Sequence, residues 1–297
     1  MSEFLLLLPD ALLICAGFVL CRFTALNRTL WDGIERLVYY LLFPVLLFIS
    51  IVRAPIALAE SADLLLGCLA VAGTGIAVAW LLRWLPRVEA SFHASGAQVA
   101  FRFNSFIALA VANQLASDPG VALMALVVGV CVPVCNVAAV FFLAKHGGQS
   151  YGRELLRNPL IGATVCGLVG NVLGLSLPDV LDTTLQRVGQ AALPLGLMAV
   201  GAGLTLQGLS ASPGLAGGLL AVRHLVLPLV AWGVGWALAL APLERTVLMS
   251  FAALPTASSA YVLAARMGGR AAFVAGLVTA STVLGMLSLP LWLAWVR

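Results

Sequence analysis

Asp118-Pro119-Gly120 opens the run Val-Ala-Leu-Met-Ala-Leu-Val-Val-Gly-Val-Cys-Val-Pro133-Val-Cys-Asn136-Val-Ala-Ala-Val-Phe-Phe-Leu-Ala144, which holds no charged side chain. A lumen-facing barrel strand would alternate apolar and polar residues, whereas this run is apolar on every side, as a helix in lipid is. The pattern returns 150 residues later, where Gly268-Gly269-Arg270 opens the apolar run 271–296. Gly17 likewise returns as Gly167 and Pro44 as Pro194. Working outward, apolar spans are predicted at 4–21, 31–52, 63–82, 94–116, 120–144, 159–175, 184–206, 214–241, 246–266 and 271–296. An odd number of crossings in each half forces the second half to enter the membrane from the opposite side, the pattern of inverted-repeat carriers. The expected organisation is a first five-helix repeat over 1–144, a cytoplasmic linker over 145–158 and an inverted second five-helix repeat over 159–297.

Composition points the same way. Apolar residues make up 62% of the 297-residue chain and charged ones 9%, with a mean hydropathy of +1.07. A soluble core of this size needs a charged shell, and 16 Lys and Arg with 12 Asp and Glu do not supply one. The fold class is an all-α polytopic membrane protein with ten transmembrane helices. Met1-Ser-Glu-Phe-Leu lacks the basic start of a signal peptide, so the first apolar segment is expected to be a retained membrane helix. The six cysteines lie in or beside apolar spans, where they read as small packing residues rather than metal ligands. The net charge of +4 does not suggest nucleic acid, because the arginines sit at span ends and form no patch. No metal or cofactor is expected.

Positive charge sets the orientation. Arg22, Arg28, Arg36, Arg83, Arg87, Lys145, Arg153, Arg157, Arg223, Arg266 and Arg270 fall on one set of loops; Arg53, Arg187, Arg245 and Arg297 fall on the other. The richer set faces the cytoplasm, which places both termini on the non-cytoplasmic side of a bacterial-type inner membrane. Arg223 and His224 interrupt the eighth span, so residues 214–222 are expected along the membrane surface, with the helix proper starting at Leu225.

Arg102 alone belongs to neither set of loops. It lies roughly 12 Å into the fourth span, near the middle of a hydrocarbon slab about 30 Å thick. A charge there costs about 2.5–3.5 kcal/mol and requires a partner, a water-filled cavity or an anionic ligand. A ligand-facing role and a structural one, capping helix carbonyls or snorkelling, both stay open. Asn104 and Ser105 follow it directly. In the ninth span, Leu254-Pro255-Thr256-Ala257-Ser258-Ser259-Ala260-Tyr261 breaks a helix at matching depth. Pro255 suits the first position of a new half-helix, with the hydroxyls of Thr256, Ser258 and Ser259 around its positive end. A proline kink with small residues for close packing is the alternative. Two such ends together with Arg102 would attract a carboxylate, with Asn136 and Tyr261 within hydrogen-bonding reach. Asn113 and Gln114 could line an outer vestibule or bond between helices, and Tyr39, Tyr40, Asn171 and Gln190 read as packing or interface groups.

At these residues the chain resembles the auxin efflux carrier family, which includes bacterial malate and malonate permease-like proteins and the plant PIN carriers. The matching stretches are Arg36-Leu-Val-Tyr-Tyr-Leu-Leu-Phe-Pro-Val-Leu-Leu-Phe, Asn158-Pro-Leu-Ile, Ala192-Leu-Pro-Leu-Gly-Leu-Met-Ala-Val-Gly-Ala-Gly-Leu and Leu254-Pro-Thr-Ala-Ser-Ser-Ala-Tyr-Val-Leu-Ala. The resemblance implies an NhaA- or bile-acid-transporter-like arrangement with broken helices 4 and 9 crossing at the substrate site. It also implies a scaffold of helices 1, 2, 6 and 7, a transport unit of helices 3–5 and 8–10 moving as an elevator, and a homodimer. Many members carry Asn-Thr-Gly-x-x-Gly-x-Pro where this chain has Asn104-Ser-Phe-Ile-Ala-Leu-Ala, so the helix-breaking residues are missing and Arg102 supplies charge instead.

The expected function is secondary or potential-driven transport, in the export direction, of a small organic anion such as a mono- or dicarboxylate. The substrate-binding set is Arg102, Asn104, Ser105, Asn136, Pro255, Thr256, Ser258 and Tyr261. An importer of organic acids or amino acids coupled to H+ or Na+ is the alternative, and a non-transporting membrane sensor a second. No nucleophile–base pair, metal cluster or paired acid shares one depth, so no enzyme is expected.

Overall fold

The computed structural model describes residues 3–53, 61–143, 159–205, 208–257 and 259–296. All regular structure among these residues is helical. Five helical runs are long and apolar enough to cross a membrane: Arg28–Arg53, Ala62–Trp84, Ala90–Leu143, Pro213–Ala237 and Ala271–Val296, with Leu12–Phe23 a shorter apolar helix. The chain is therefore a multi-pass helical membrane protein.

The expected ten spans, arranged as two inverted five-helix repeats with a crossed pair of broken helices in an elevator-type fold, are corrected by this count. Hydropathy counts apolar residues, whereas crossing requires about 20 of them in one helix. The expected span 159–175 yields Pro159–Val172, 14 residues, or roughly 21 Å. The span 184–206 divides into Asp179–Gln190 and Ala192–Ala202. The span 246–266 divides into Pro242–Ala253 and Ala260–Arg266. The fourth and fifth expected spans belong to the single run Ala90–Leu143, whose backbone leaves the helix at Ala116 and at Ser117, where φ is 46°. The eighth is corrected in the other sense. Pro213–Ala221 is helical and continues through a π-type turn, Val222–Val226, into Leu227–Ala237. The linker 145–158 and Asn158 lie outside the described residues.

Two compact units divide the chain. The first comprises Met1–Ala62, Leu109–Gly129 and Gly152–Gly203. In it, Glu3–Phe23 packs along Ala192–Ala202 at near backbone contact. A Cβ on Gly17 would fall on the Met198 carbonyl, and one on Gly201 on the Ile14 carbonyl. Small residues at such crossings let helix backbones approach closely without a hydrophobic driving force. Phe43–Arg53 packs on both Pro159–Val172 and Asp179–Gln190, with Arg53 paired to Asp182. Asn171 Nδ2 donates to the carbonyls of Ile51 (2.9 Å) and Val52 (3.2 Å), a packing role in line with the reading of the sequence.

The second unit comprises Asp63–Ala108, Val130–Tyr151 and Leu204–Arg297. Ala271–Val296 packs on both Pro242–Ala253 and Ala260–Arg266. Trp232, Trp236, Leu225, Leu229, Leu287 and Leu291 are exposed, as lipid-facing residues are. Arg83 stacks on Trp80 and Trp84, and Arg245 on Trp236, the kind of cation–aromatic pairing that anchors helix ends at a membrane interface.

Candidate functional site

The second unit contains two unwound segments. Helix Ala90–Gly96 tightens to a 3-10 turn over Ala97–Ala100, and the backbone then extends to Asn104 before a helix restarts at Ser105. Helix Pro242–Ala253 ends at Leu254, which has β-type angles, and the chain turns helical again at Ala260. The Asn104 N–H donates to the Pro255 carbonyl at 2.9 Å, joining the two segments. Phe103 meets Phe251 edge to face at 4.8 Å beside this junction.

Each residue near the junction has identifiable work. Asn104 Oδ1 accepts the N–H groups of Phe106 (3.0 Å) and Ile107 (3.3 Å), an N-cap on the helix that starts at Ser105. Its Nδ2 is buried with no hydrogen-bond partner among the described residues. Thr256 N–H donates to Ser281 Oγ at 3.0 Å, while Thr256 Oγ1 is buried and also without a partner among the described residues. Arg102 is buried, its Nη1 donating to Gln98 Oε1 at 2.8 Å and its Nη2 to Ser259 Oγ at 3.0 Å. Gln98 Nε2 in turn donates to the carbonyls of Ser95 and Ala260. The guanidinium is thus aimed by one residue from each segment.

The structure places the expected site residues unevenly. Arg102, Asn104, Pro255 and Thr256 gather at the junction. Ser105 is half-buried at the start of its helix, and Asn136 is half-buried next to Cys135, whose Sγ donates to the Phe101 carbonyl at 3.5 Å. Tyr261 is half-buried one residue after Ala260, the carbonyl that Gln98 bonds. Ser258 lies outside the described residues. Pro255 does not open a half-helix. It follows the end of one, and its ring packs within 3.3 Å of where a Cβ on Gly285 would sit. The helix that resumes at Ala260 has 7 residues and starts five positions after Pro255.

Sequence reasoning placed Arg223 and His224 at a span end facing the interface and not in a site. Both are buried, Arg223 completely. Adjacent residues of a regular helix point about 100° apart, and the π-type turn Val222–Val226 lets both face inward. His224 lies between Ser288 Oγ (3.1 Å, from Nδ1) and Ser281 Oγ (2.9 Å, from Nε2), and its carbonyl accepts Trp292 Nε1–H at 2.9 Å. Arg223 Nε donates to the Leu254 carbonyl at 2.5 Å and Nη2 to the Phe251 carbonyl at 3.0 Å. The available signal was position: Arg223 sits midway along the apolar stretch 213–237. Cys135 lies in the field of both Arg102 and Arg223, so two buried guanidinium groups flank one region. The unit's described acids are at its edges. Asp63 and Glu89 are exposed, and Glu244 accepts the Ala241 N–H.

In the first unit, Asn113 and Gln114 line a cavity of about 410 Å³ together with Arg53, Asp118, Gln186 and Gln190. Gln190 therefore faces a cavity.

Residues 148–293 match the family described as membrane transport protein. The matched region contains Arg223, His224 and Leu254–Thr256, while Arg102 and Asn104 precede it. An "Uncharacterized transporter" of Methanothermobacter thermautotrophicus is 30% identical over 154 residues, 50% of this chain and 51% of that one. The chain thus aligns with about half the length of that relative. A "Putative malonate transporter" of Rhizobium meliloti is 26% identical over 312 residues, 96% of this chain and 94% of its own. The similarity is to membrane transport proteins, a class that moves solutes without catalysing their conversion.

Proposed function

We propose that the chain is a secondary carrier of a small organic anion, a mono- or dicarboxylate, bound where segments 101–104 and 254–259 meet. The observation that carries this is the pair of orphaned buried groups, Asn104 Nδ2 and Thr256 Oγ1, on the two residues flanking the Asn104–Pro255 backbone bond. Buried donors left unpaired cost about 1–3 kcal/mol each, a cost that a carboxylate accepting from both would offset. Arg102, aimed by Gln98 and Ser259, supplies the charge. Ser105, Asn136, Ser258 and Tyr261 complete the proposed binding set. Similarity to a relative named for malonate supports a carboxylate substrate.

Alternating access would carry the anion across a bacterial-type inner membrane, with both chain termini on the outer side and two copies forming a dimer. Export is physically sufficient without further coupling. One negative charge moving outward gains about 2.3 kcal/mol per 100 mV with the inside negative.

Uptake of labelled malonate, succinate and acetate into proteoliposomes tests the reading, with the wild type beside Arg102→Gln. Saturable uptake, reduced at least about tenfold in the variant, is expected. Saturable uptake unchanged in the variant removes Arg102 from the site, and absence of uptake for every carboxylate sinks the anion assignment.

A further inference from the structure

Helix Pro242–Ala253 leaves two carbonyls in need of donors. Phe251 C=O would accept from the N–H four residues on, but that residue is Pro255, which has none. Leu254 already has extended backbone angles, so its carbonyl enters no helix. Both carbonyls stand at the negative end of a helix dipole, inside a unit whose described acids and ion pairs lie at its edges. Two backbone carbonyls, oxygens without ionised charge, are ligands of the kind that a hard monovalent cation takes when a protein replaces its hydration shell.

No mobile ion is needed there, because Arg223 reaches both carbonyls. The guanidinium is permanently charged and presents its donors in a fixed fork. Two of its nitrogens satisfy Leu254 and Phe251, while Nη1 stays buried without an acceptor. We propose that Arg223 is a tethered counter-cation, holding at the Phe251 and Leu254 carbonyls the place that a mobile coupling cation would fill. Consequently the chain binds and moves its anion without sodium, a consequence that rests on the carrier reading above. The placement also speaks to specificity: removing the side chain opens an oxygen-lined spot suited to a small monovalent cation.

The test is thermal unfolding of the purified full chain in detergent, in sodium chloride against choline chloride at equal ionic strength. Wild type, Arg223→Ala and Arg223→Lys are compared, with methylguanidinium titrated into each. The wild-type midpoint is expected to be the same in both salts. The Arg223→Ala midpoint should fall in choline and rise saturably with sodium or methylguanidinium, while Arg223→Lys stays near wild type and insensitive to the salt. A saturable sodium-dependent rise in the wild type, or an Arg223→Ala protein that neither cation restores, overturns the proposal. If Arg223→Ala does not fold, Arg223→Lys decides: insensitivity to sodium supports a tethered cation and sensitivity refutes it. The thermal readout holds whatever solute the chain carries. Failure of carboxylate uptake therefore strikes the anion reading and leaves this assignment standing.

Discussion

The backbone N–H of Asn104 donates to the carbonyl of Pro255 at 2.9 Å, across 151 positions of sequence. Each residue has left its helix, and each would otherwise hold an unpaired backbone group inside an apolar protein. The bond lets both segments stay unwound together, with Asn104 in the bonded pair and Thr256 next to it in sequence.

Asn104 has two separable jobs, so two substitutions should part them. Asn104→Asp keeps an oxygen for the N-cap but removes the Nδ2 donors and adds negative charge. It should fold with a near-normal melting temperature and lose saturable carboxylate uptake. Asn104→Ala should lose uptake and also about 1 kcal/mol of stability. Normal uptake in Asn104→Asp would falsify the donor role.

Gln98 and Ser259 position Arg102. Gln98→Leu removes the acceptor for Nη1 and leaves the guanidinium in place but unaimed. Half-saturation for malonate uptake should rise about tenfold, in keeping with one lost charge-assisted hydrogen bond. Comparing KM with maximal rate is the check, and an unchanged KM would show that Gln98 does not aim the site.

Ser281 joins His224 to the Thr256 backbone. Ser281→Ala strands the Thr256 N–H and one His224 nitrogen in a buried setting, costing about 1–3 kcal/mol. A lowered unfolding midpoint with weakened uptake is expected, whereas Ser288→Ala should leave Thr256 held and uptake closer to normal.

Close helix approach in the first unit is tested by glycine. Gly17→Ala places a Cβ on the Met198 carbonyl, backbone that cannot yield like a side chain. The expected destabilisation is about 1–3 kcal/mol. Gly33 has nothing within 4 Å of an added Cβ and lies in a helix, so Gly33→Ala should be neutral or stabilise by about 0.5–1 kcal/mol. Equal midpoints for the two variants would count against the packing described.

The amino-acid sequence by itself determined that this protein is helical and lives in a membrane, because apolar content and the lack of a charged shell are properties of composition. It also marked Arg102 and Pro255 as anomalies, since a buried charge and a mid-span proline are costly wherever the chain goes. Tertiary structure decided the rest. Hydropathy treated every apolar run as a crossing, but Pro242–Ala253 and Ala260–Arg266 are separate pieces, and helix continuity depends on neighbours as well as on apolar content. Residues 101–104 unwind without a glycine or proline, because partners distant in sequence, Pro255 and Cys135, take up their backbone groups. Arg223 looked like a span-end charge. Only folding shows that Arg223 meets the carbonyls of Phe251 and Leu254, some thirty residues away, and that it does so from a π-type turn at 222–226.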